Sequence, residues 1–388
     1  MHDFFIFYDI INIGDFMKMK RDLHIHTDTN DNTDGQQSPL YAIYHAWISG
    51  TNIISITDHN TSEAYGELEI QFADVLENAK RTKNYKGIKT LLKMSKEMKI
   101  IQGIELDVTY IGRKLEILAY GIDSELMEEE IKKLLEGKKG KTEVLKPGLL
   151  EALSKTDYDF NMDVLDEPGP VGERFFKELS RHPKNKIFTD KFKSYRDFIF
   201  KGIYNPNSEF FVDYTAASPS IEDAIKAIKK VSGEDVIISL AHPDRYKEYI
   251  DLNSEIDGII LVGINALEIE HPINSLKTKM LLNQKVKEYG LNITGGSDDH
   301  NANNPKKRVK DDKKRTIRFE PRNAPEQFSQ TWYRNNLHRV GISQVSEFGT
   351  EWVDKMIADR KDFFSTSAKI QNVISEMERM LIEQEYEI

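Results

Sequence analysis

Residues 21–60 read RDLHIHTDTNDNTDGQQSPLYAIYHAWISGTNIISITDHN, with two short apolar runs separated by a polar loop and an amphipathic stretch. This order predicts strand, loop, helix and strand, the repeating unit of an α/β fold. Ser38 is placed to cap the helix, and Pro39 to occupy its first position. Further strands are predicted at KIIQGIELDVTYI, KLEILAYGI, EDVIISLAH, DGIILVGI, ALEIEH and NITGGSDDH.

The composition is that of a soluble globular protein, since 39% of the 388 residues are hydrophobic and 30% are charged. No apolar run reaches the roughly 18 residues that span a bilayer, so no membrane contact is expected and the cytoplasm is the expected location. The absence of cysteine excludes disulfides and thiolate metal sites. A formal net charge of -10 argues against a broadly basic nucleic-acid surface, although a local basic groove is compatible with it.

The chain divides into three parts by pattern. Residues 1–20 are expected to form an added strand or docking arm, since they carry three aspartates and lack the basic start of a signal peptide. Residues 21–303 form the α/β domain, interrupted at about residues 124–232 by a lysine-rich helical insertion too long for a plain loop. Residues 304–388 are expected to be a charged linker followed by helices, because VISEMERMLIEQEYEI repeats apolar residues at helical spacing.

Two features of the third part have more than one interpretation. The run KKRVKDDKKRTIR at residues 306–318 fits a solvated linker, or a groove that neutralises nucleic-acid phosphates. The C-terminal helices fit a packing element, a homo-oligomer contact or a docking site for a partner protein. The sequence contains no P-loop motif, so the chain itself is not expected to be an ATPase.

Histidines gather at the ends of predicted strands. Ten occur in the chain, and five lie beside carboxylates or another histidine: His24, His26, His59, His242 and His300. Residues two apart on a strand project from the same face, so His24 and His26 can reach one metal. Carboxylates at predicted strand ends are Asp58, Glu105 and Asp298. Because strand ends converge in a parallel barrel, the pattern predicts a metal centre of imidazoles and carboxylates.

These motifs resemble a known family. RDLHIHT, TDG at 33–35, ITDHNT, GIELD, LAHP and GGSDDH are similar to successive motifs of the polymerase and histidinol phosphatase (PHP) superfamily, over about residues 21–300. The stretch SPSIEDAIKAIKKVSGEDVIISLAHP is most similar to the branch of nucleoside bisphosphate phosphatases and 5′-to-3′ exoribonucleases. The resemblance implies a distorted seven-stranded (β/α) barrel, a trinuclear site for manganese, iron or zinc, and hydrolysis of a phosphate ester.

The resemblance also implies three groups of metal ligands. The first group consists of His24, His26, Glu105 and Asp298. The second adds His242 to Glu105, which would bridge the two metals. The third consists of Asp34, His59 and His300. The loop from His26 to Asp34 is longer than usual for the family, so Asp28 or Asp31 are alternatives to Asp34.

Two positions depart from the family pattern. Glu116, in LEILAY, stands where a histidine is usual, and its oxygen ligand would favour a harder ion such as Mn²⁺. Arg174, in GERFFKEL, replaces a second histidine; it stays protonated and cannot bind a metal, but its planar fork suits a phosphate. The expected cofactors are therefore two or three divalent ions, Mn²⁺, Fe²⁺ or Zn²⁺.

The expected mechanism is in-line attack on phosphorus by a metal-bound hydroxide. Catalytic roles are assigned to Asp298, Arg174 and Arg245, and substrate contacts to Arg174, Arg245 and His271. For His271, as for Asp244, support of a ligand or of a loop is an equally good interpretation. Asp299 should face away from the metals, because it alternates with Asp298 along an extended stretch.

The expected substrate is a phosphorylated small molecule or the end of a nucleic acid. The site residues do not separate a phosphatase from an exonuclease. The alternative function is a non-catalytic or partner-dependent module that works through the C-terminal helices with an ATPase or a nucleic-acid enzyme. Retention of many buried ligand residues argues against that alternative, since unpaired buried charges are costly without a cation.

Overall fold

The computed structural model describes residues 20–30, 33–300, 351–359 and 362–386. Residues 1–19, the basic run at 306–318 and Asp31 lie outside this part, so the predictions made for them remain predictions. Among the described residues, no helix is both long and apolar enough to cross a bilayer.

The described residues form eight strands and fourteen α-helices. The strands are β1 (Lys20–Ile25), β2 (Thr51–Ile56), β3 (Lys99–Ile100), β4 (Gly103–Tyr110), β5 (Arg113–Tyr120), β6 (Ile237–Leu240), β7 (Ala266–Glu270) and β8 (Asn292–Gly295). The helices are α1 (Pro39–Ile48), α2 (Ala64–Thr82), α3 (Tyr85–Glu97), α4 (Ser124–Leu134), α5 (Lys141–Leu153), α6 (Val171–Arg181), α7 (Lys186–Lys191), α8 (Tyr195–Asp197), α9 (Ile221–Ser232), α10 (Leu252–Leu261), α11 (Leu276–Tyr289), α12 (Glu351–Ala358), α13 (Phe363–Thr366) and α14 (Ala368–Tyr386).

The opening strand–helix–strand unit forms as predicted. Helix α1 begins at Pro39, and the Ser38 hydroxyl accepts a hydrogen bond from the Tyr41 N–H, which confirms the predicted cap. Strands β1 and β2 are parallel, as a helical crossover requires. The unit therefore leaves the C-terminal ends of both strands at one edge of the sheet.

The strands form two sheets, which gives a mixed α/β fold. One is the parallel sheet β1-β2-β3, and the other is the mixed sheet β4-β5-β6-β7-β8. Isolated bridges link the two sheets at Ile25–Asp299 and at His59–Glu105. No continuous ladder closes the described strands into a barrel, so the seven-stranded barrel stays a prediction.

Strand β5 runs antiparallel to both of its neighbours. The connection from β4 is the two-residue turn Ile111–Gly112, and a turn this short can join only antiparallel strands. As a result Glu105 and Glu116 lie inside their strands and not at strand ends. The expectation that Glu105 lies at the end of a parallel strand is wrong, because Glu105 is the third residue of β4, which pairs with β5 in an antiparallel manner.

The strand predicted at DGIILVGI is also wrong, since α10 covers most of it. Ile256, Ile259 and Ile260 are buried at helical spacing, while Leu261 is 74% exposed. A short apolar run has no distinct period and fits either element. The strand follows directly afterwards, as β7.

Residues 124–232 are mainly helical and include a hydrophobic cluster rich in phenylalanine, with Phe175, Phe188, Phe198 and Phe210 at its centre. The C-terminal helices pack on the α/β body. Phe363 and Phe364 of α13 lie in the core with α2 and α3, and Trp352 of α12 donates a hydrogen bond to the Ile293 carbonyl at 3.0 Å.

Candidate metal centre

The centre starts from two neighbouring imidazoles. His24 lies in β1 and His26 directly follows it, and both rings are fully buried. Their Nε2 atoms are 3.1 Å apart, too close for two protonated nitrogens to face each other without a shared partner. The two-residue spacing thus brings the rings together as predicted.

Glu105 and Asp298 complete the first group. Glu105 Oε2 is 3.3 Å from both Nε2 atoms, and Asp298 Oδ1 is 3.5 Å from His24 Nε2 and 3.2 Å from His26 Nε2. A tetrahedral metal with bonds of about 2.0–2.1 Å separates its ligand atoms by roughly 3.3–3.4 Å. These four atoms have the spacing and the chemistry of a divalent-metal cage.

The backbone after β8 explains the GGS segment of GGSDDH. A Cβ on Gly296 would lie 2.3 Å from His24 Cβ, so any larger residue there would push the strand away from β1. Asp298 adopts a positive φ of 55°, which most residues avoid. Such strain is common at functional sites, and here it accompanies a carboxylate that faces the histidine pair.

The third group lies beside the first. Asp34 Oδ2 is 3.1 Å from His300 Nε2 and 3.6 Å from His59 Nε2. The His300 ring stacks on His26 with ring centres 4.2 Å apart. Asp34 is therefore the loop carboxylate that the structure places with these histidines, and its side chain is half exposed at 53%.

The second group is centred on His242, which has a positive φ of 28°. Its Nε2 is 2.9 Å from Glu105 Oε1 and 3.3 Å from Glu116 Oε2. Glu105 therefore presents one oxygen to the first group and the other to the second. In the first group Arg245 contacts one oxygen of Asp298, whereas here both oxygens of Glu116 have a permanent cation against them, Lys114 and Arg245.

The electrostatics of the first group show a need for positive charge. Burial lowers the pKa of His26, but the hydrogen bonds to Asp298 and Glu105 outweigh it and raise that pKa to about 10. Burial raises the pKa of Glu105, but His59 and His24 hold it well below its usual range. The carboxylates thus stay ionised and attract either protons or a metal cation.

Glu268 was missed in the sequence. Its Oε1 is 3.0 Å from His24 Nδ1, and its Oε2 accepts the His242 backbone N–H at 2.7 Å. A carboxylate on Nδ1 leaves Nε2 free to bind a metal, the usual support for a histidine ligand. The available signal was an acid between two apolar residues at the centre of the strand ALEIE.

Arg245 and His271 belong to the centre. Arg245 Nη2 is 2.7 Å from Asp298 Oδ2, and His271 Nε2 is 3.5 Å from the same oxygen. Asp244, by contrast, accepts hydrogen bonds from the Ser275 N–H and the Thr278 hydroxyl, so it orders the start of α11. The Asp299 side chain contacts Gln37, in accord with the predicted outward direction.

Arg174 is the one predicted site residue with no described contact to the three groups. It lies in α6 of the insertion, and its Nε and Nη1 are buried without a hydrogen-bond partner among the described residues. An anionic ligand would satisfy these two buried donors.

Comparisons with known proteins give distant likenesses. No family model and no curated protein matches the chain. An amidohydrolase structure from Chromobacterium violaceum, with bound sulfate and no metal, is 21% identical and covers 72% of this chain and 87% of that chain, with a TM-score of 0.47. A structure from Bifidobacterium adolescentis, described as a candidate metal-dependent phosphoesterase, is 18% identical and covers 85% and 98%, with a TM-score of 0.43.

Proposed function

We propose that this chain is a metal-dependent phosphoesterase. The observation that carries the proposal is the first group, where two Nε2 atoms lie 3.1 Å apart and an oxygen of Glu105 and one of Asp298 each lie 3.2–3.5 Å from both of them. His24, His26, Glu105 and Asp298 would hold a divalent ion there, with Asp34, His59 and His300 holding another. Imidazole and carboxylate ligands suit Mn²⁺, Fe²⁺ or Zn²⁺.

A divalent ion in this centre would lower the pKa of a water molecule and neutralise phosphoryl oxygens. The chain adds fixed groups around it. Arg245 is partly exposed, at 23%, and its Nη atoms lie against Glu116 and Asp298, so its guanidinium is a fixed positive charge beside the centre. This fixed cation favours an anionic substrate over a neutral ester or amide.

His271 holds a proton at a defined atom. The Ile273 backbone N–H donates to His271 Nδ1, so the neutral ring carries its own proton on Nε2. That nitrogen faces Asp298 Oδ2, on the side of the carboxylate that Arg245 also contacts. His271 thus lies beside the oxygen of Asp298 that Arg245 contacts, while the opposite oxygen faces the histidine pair.

The substrate class in this proposal is a nucleotide or an oligonucleotide end, as the PHP resemblance implies. In this proposal the two linked sheets would correspond to the distorted barrel, and Arg174 of the insertion would supply a second phosphate contact. The expected setting is the cytoplasm, with the C-terminal helices available to a partner or a second copy.

The test is hydrolysis by chelator-stripped protein before and after addition of Mn²⁺. Aryl phosphate monoesters and diesters are compared with a carboxylic ester and an anilide that release the same chromophore class. The variants are His26→Ala, in the first group, and His182→Ala, a partly exposed insertion histidine paired with Glu178.

Mn²⁺-dependent release from a phosphate ester is expected for the wild type and for His182→Ala. His26→Ala should lose more activity than the roughly 10- to 100-fold that is typical when a residue that only supports a metal ligand is replaced. Release from the anilide alone would overturn the phosphoester assignment. Full activity of His26→Ala would overturn the site. Metal binding without turnover on any ester would favour the partner-dependent module instead.

Among phosphoesters, a nucleoside bisphosphate compared with a short 5′-phosphorylated RNA and DNA separates the two expected substrate classes. Release of inorganic phosphate from the small substrate alone indicates a phosphatase. Release of mononucleotides from the oligomers indicates an exonuclease.

A further inference from the structure

An unbroken chain of alternating charges runs from the helical insertion through the second group to the first. Its successive contacts are Lys141 Nζ to Asp107 Oδ2 at 2.7 Å, Asp107 Oδ1 to Lys114 Nζ at 2.8 Å, Lys114 Nζ to Glu116 Oε1 at 2.6 Å, Glu116 Oε2 to Arg245 Nη1 at 3.4 Å and Arg245 Nη2 to Asp298 Oδ2 at 2.7 Å. Most of these side chains are buried, and Lys114 is only 9% exposed.

The strand register builds this arrangement. Lys114 and Glu116 are two apart on β5, so they share a face, and Asp107 of β4 lies directly opposite Glu116. Asn60 donates to Asp107 Oδ2 at 2.6 Å, and Lys141 reaches the same oxygen from the first residue of α5. Lys114 is thus held by residues of two strands, a loop and the insertion. It is a buried, ordered ion-pair partner and not a solvent-exposed one.

The consequence differs between the first and second groups. In the first, Arg245 occupies Asp298 Oδ2 and leaves Oδ1 facing the histidines. In the second, both oxygens of Glu116 have a permanent cation against them, Lys114 on Oε1 and Arg245 on Oε2. A divalent ion bound by Glu116 would sit close to both cations, and repulsion at such short range is strong in a buried site.

We infer that the second group takes no tightly bound metal, and that Lys114 and Arg245 are the fixed cations of that position. This inference rests on the proposed function and sets its metal count. The chain then binds two divalent ions tightly, at the first and third groups, in place of the three that the family resemblance implies. In the second group Glu116 is the ion-pair partner of these cations, and Glu105 and His242 lie beside it without a metal between them.

The test counts retained metal, not activity. Protein loaded with Mn²⁺ is passed through a desalting column, and metal equivalents are measured by elemental analysis. The variants are Lys114→Met, which removes the charge and keeps the alkyl stem, and Glu116→Gln, which removes the carboxylate. The control is Lys146→Met, since Lys146 is a partly exposed lysine paired with Asp166 in the insertion.

Two equivalents are expected for the wild type, for Glu116→Gln and for Lys146→Met, and three for Lys114→Met. Three equivalents in the wild type, two in Lys114→Met, or one in Glu116→Gln would overturn the inference while leaving the metal centre intact. If Lys114→Met fails to fold by circular dichroism, the count for Glu116→Gln decides. No retained metal in the wild type would instead overturn the proposed function itself.

Discussion

At the scale of single residues, the centre depends on which nitrogen of each imidazole faces inward. The Glu268 carboxylate lies on His24 Nδ1, so His24 presents Nε2 to the first group. The other Glu268 oxygen holds the His242 backbone, where the chain adopts a positive φ. One buried acid therefore orients a residue of the first group and a residue of the second.

Replacing Glu268 by Gln should weaken metal binding. The amide is uncharged and is a poorer hydrogen-bond acceptor for His24 Nδ1. The affinity for Mn²⁺, measured by calorimetric titration, is therefore expected to fall by about 10- to 100-fold. Glu270→Gln is the control, because Glu270 pairs with Lys279 and not with the centre. Equal affinities for wild type and Glu268→Gln would show that this carboxylate does not support the ligand.

His45 gives a prediction about pH. Its Nε2 is buried without a partner among the described residues, and burial lowers the pKa of His45 to about 4. Between that value and the ordinary value near 6.5, the unfolded chain binds more protons than the folded one. The contribution to stability is therefore complete above about pH 6.5 and is lost as the pH falls toward 4.

His45→Phe should remove this part of the acid sensitivity. The ring retains its contact with Tyr41, so stability near pH 7 should not fall. Over the window below pH 6.5, the wild type is expected to lose up to about 1.4 kcal/mol more per pH unit than the variant, by urea unfolding. Parallel pH profiles for the two proteins would refute a neutral, buried His45.

Residue patterns located the residues that meet in the candidate centre better than the residues that surround them. His24 and His26 could be predicted because strand geometry fixes their shared face, and family motifs located Asp34 and His300. Lys114 could not be predicted as part of the site. Its role depends on the pairing of β5 with β4 and on the approach of α5, neither of which is encoded within the five residues around it.

At the scale of elements, the β4–β5 hairpin determines what surrounds Glu116. Its turn residues Ile111 and Gly112 both have positive φ, 50° and 74°, as in a type I′ turn. Such a turn matches the twist of the paired strands and fixes their register. That register places Asp107 opposite Glu116, so the turn sets the pairing on which the charged chain depends.

Ile111→Asn should stabilise the protein. Isoleucine is β-branched and poorly suited to positive φ, and this one is 74% exposed, so little packing is lost. A gain of about 0.5–1 kcal/mol is expected in urea unfolding. Ile187→Asn is the matched control, since Ile187 is equally exposed, at 74%, but lies in α7; it should change stability by less than about 0.5 kcal/mol. A loss of stability in Ile111→Asn would contradict the turn geometry.

At the scale of the whole molecule, the two sheets carry one polar centre, and the C-terminal helices pack on the α/β body. The α/β character could be predicted because short apolar runs alternate with amphipathic stretches along the chain. The insertion could be predicted because a long lysine-rich stretch interrupts that pattern. Closure of the sheets could not be predicted from local pattern, because it depends on contacts between segments as distant as Ile25 and Asp299. The helix α10 could not be distinguished from a strand for the reason that short apolar runs fit both.

Metal binding should stabilise the entire chain. The centre joins β1, β4 and the segment after β8, so its occupied form ties both sheets together. With free Mn²⁺ at about 100 times its Kd, the gain is about 2.7 kcal/mol, or roughly 3 °C in Tm for a chain of this length. In differential scanning calorimetry, Mn²⁺ should raise the Tm of His24→Ala by less than it raises the Tm of the wild type. Identical melting of chelated and loaded wild type would speak against a metal centre.

The most direct measurement is anomalous diffraction at the manganese edge from crystals grown with Mn²⁺. A peak is predicted within bonding distance, about 2.0–2.2 Å, of His24 Nε2, His26 Nε2, Glu105 and Asp298. A map that shows these four residues well ordered but has no anomalous peak between them would contradict the central claim.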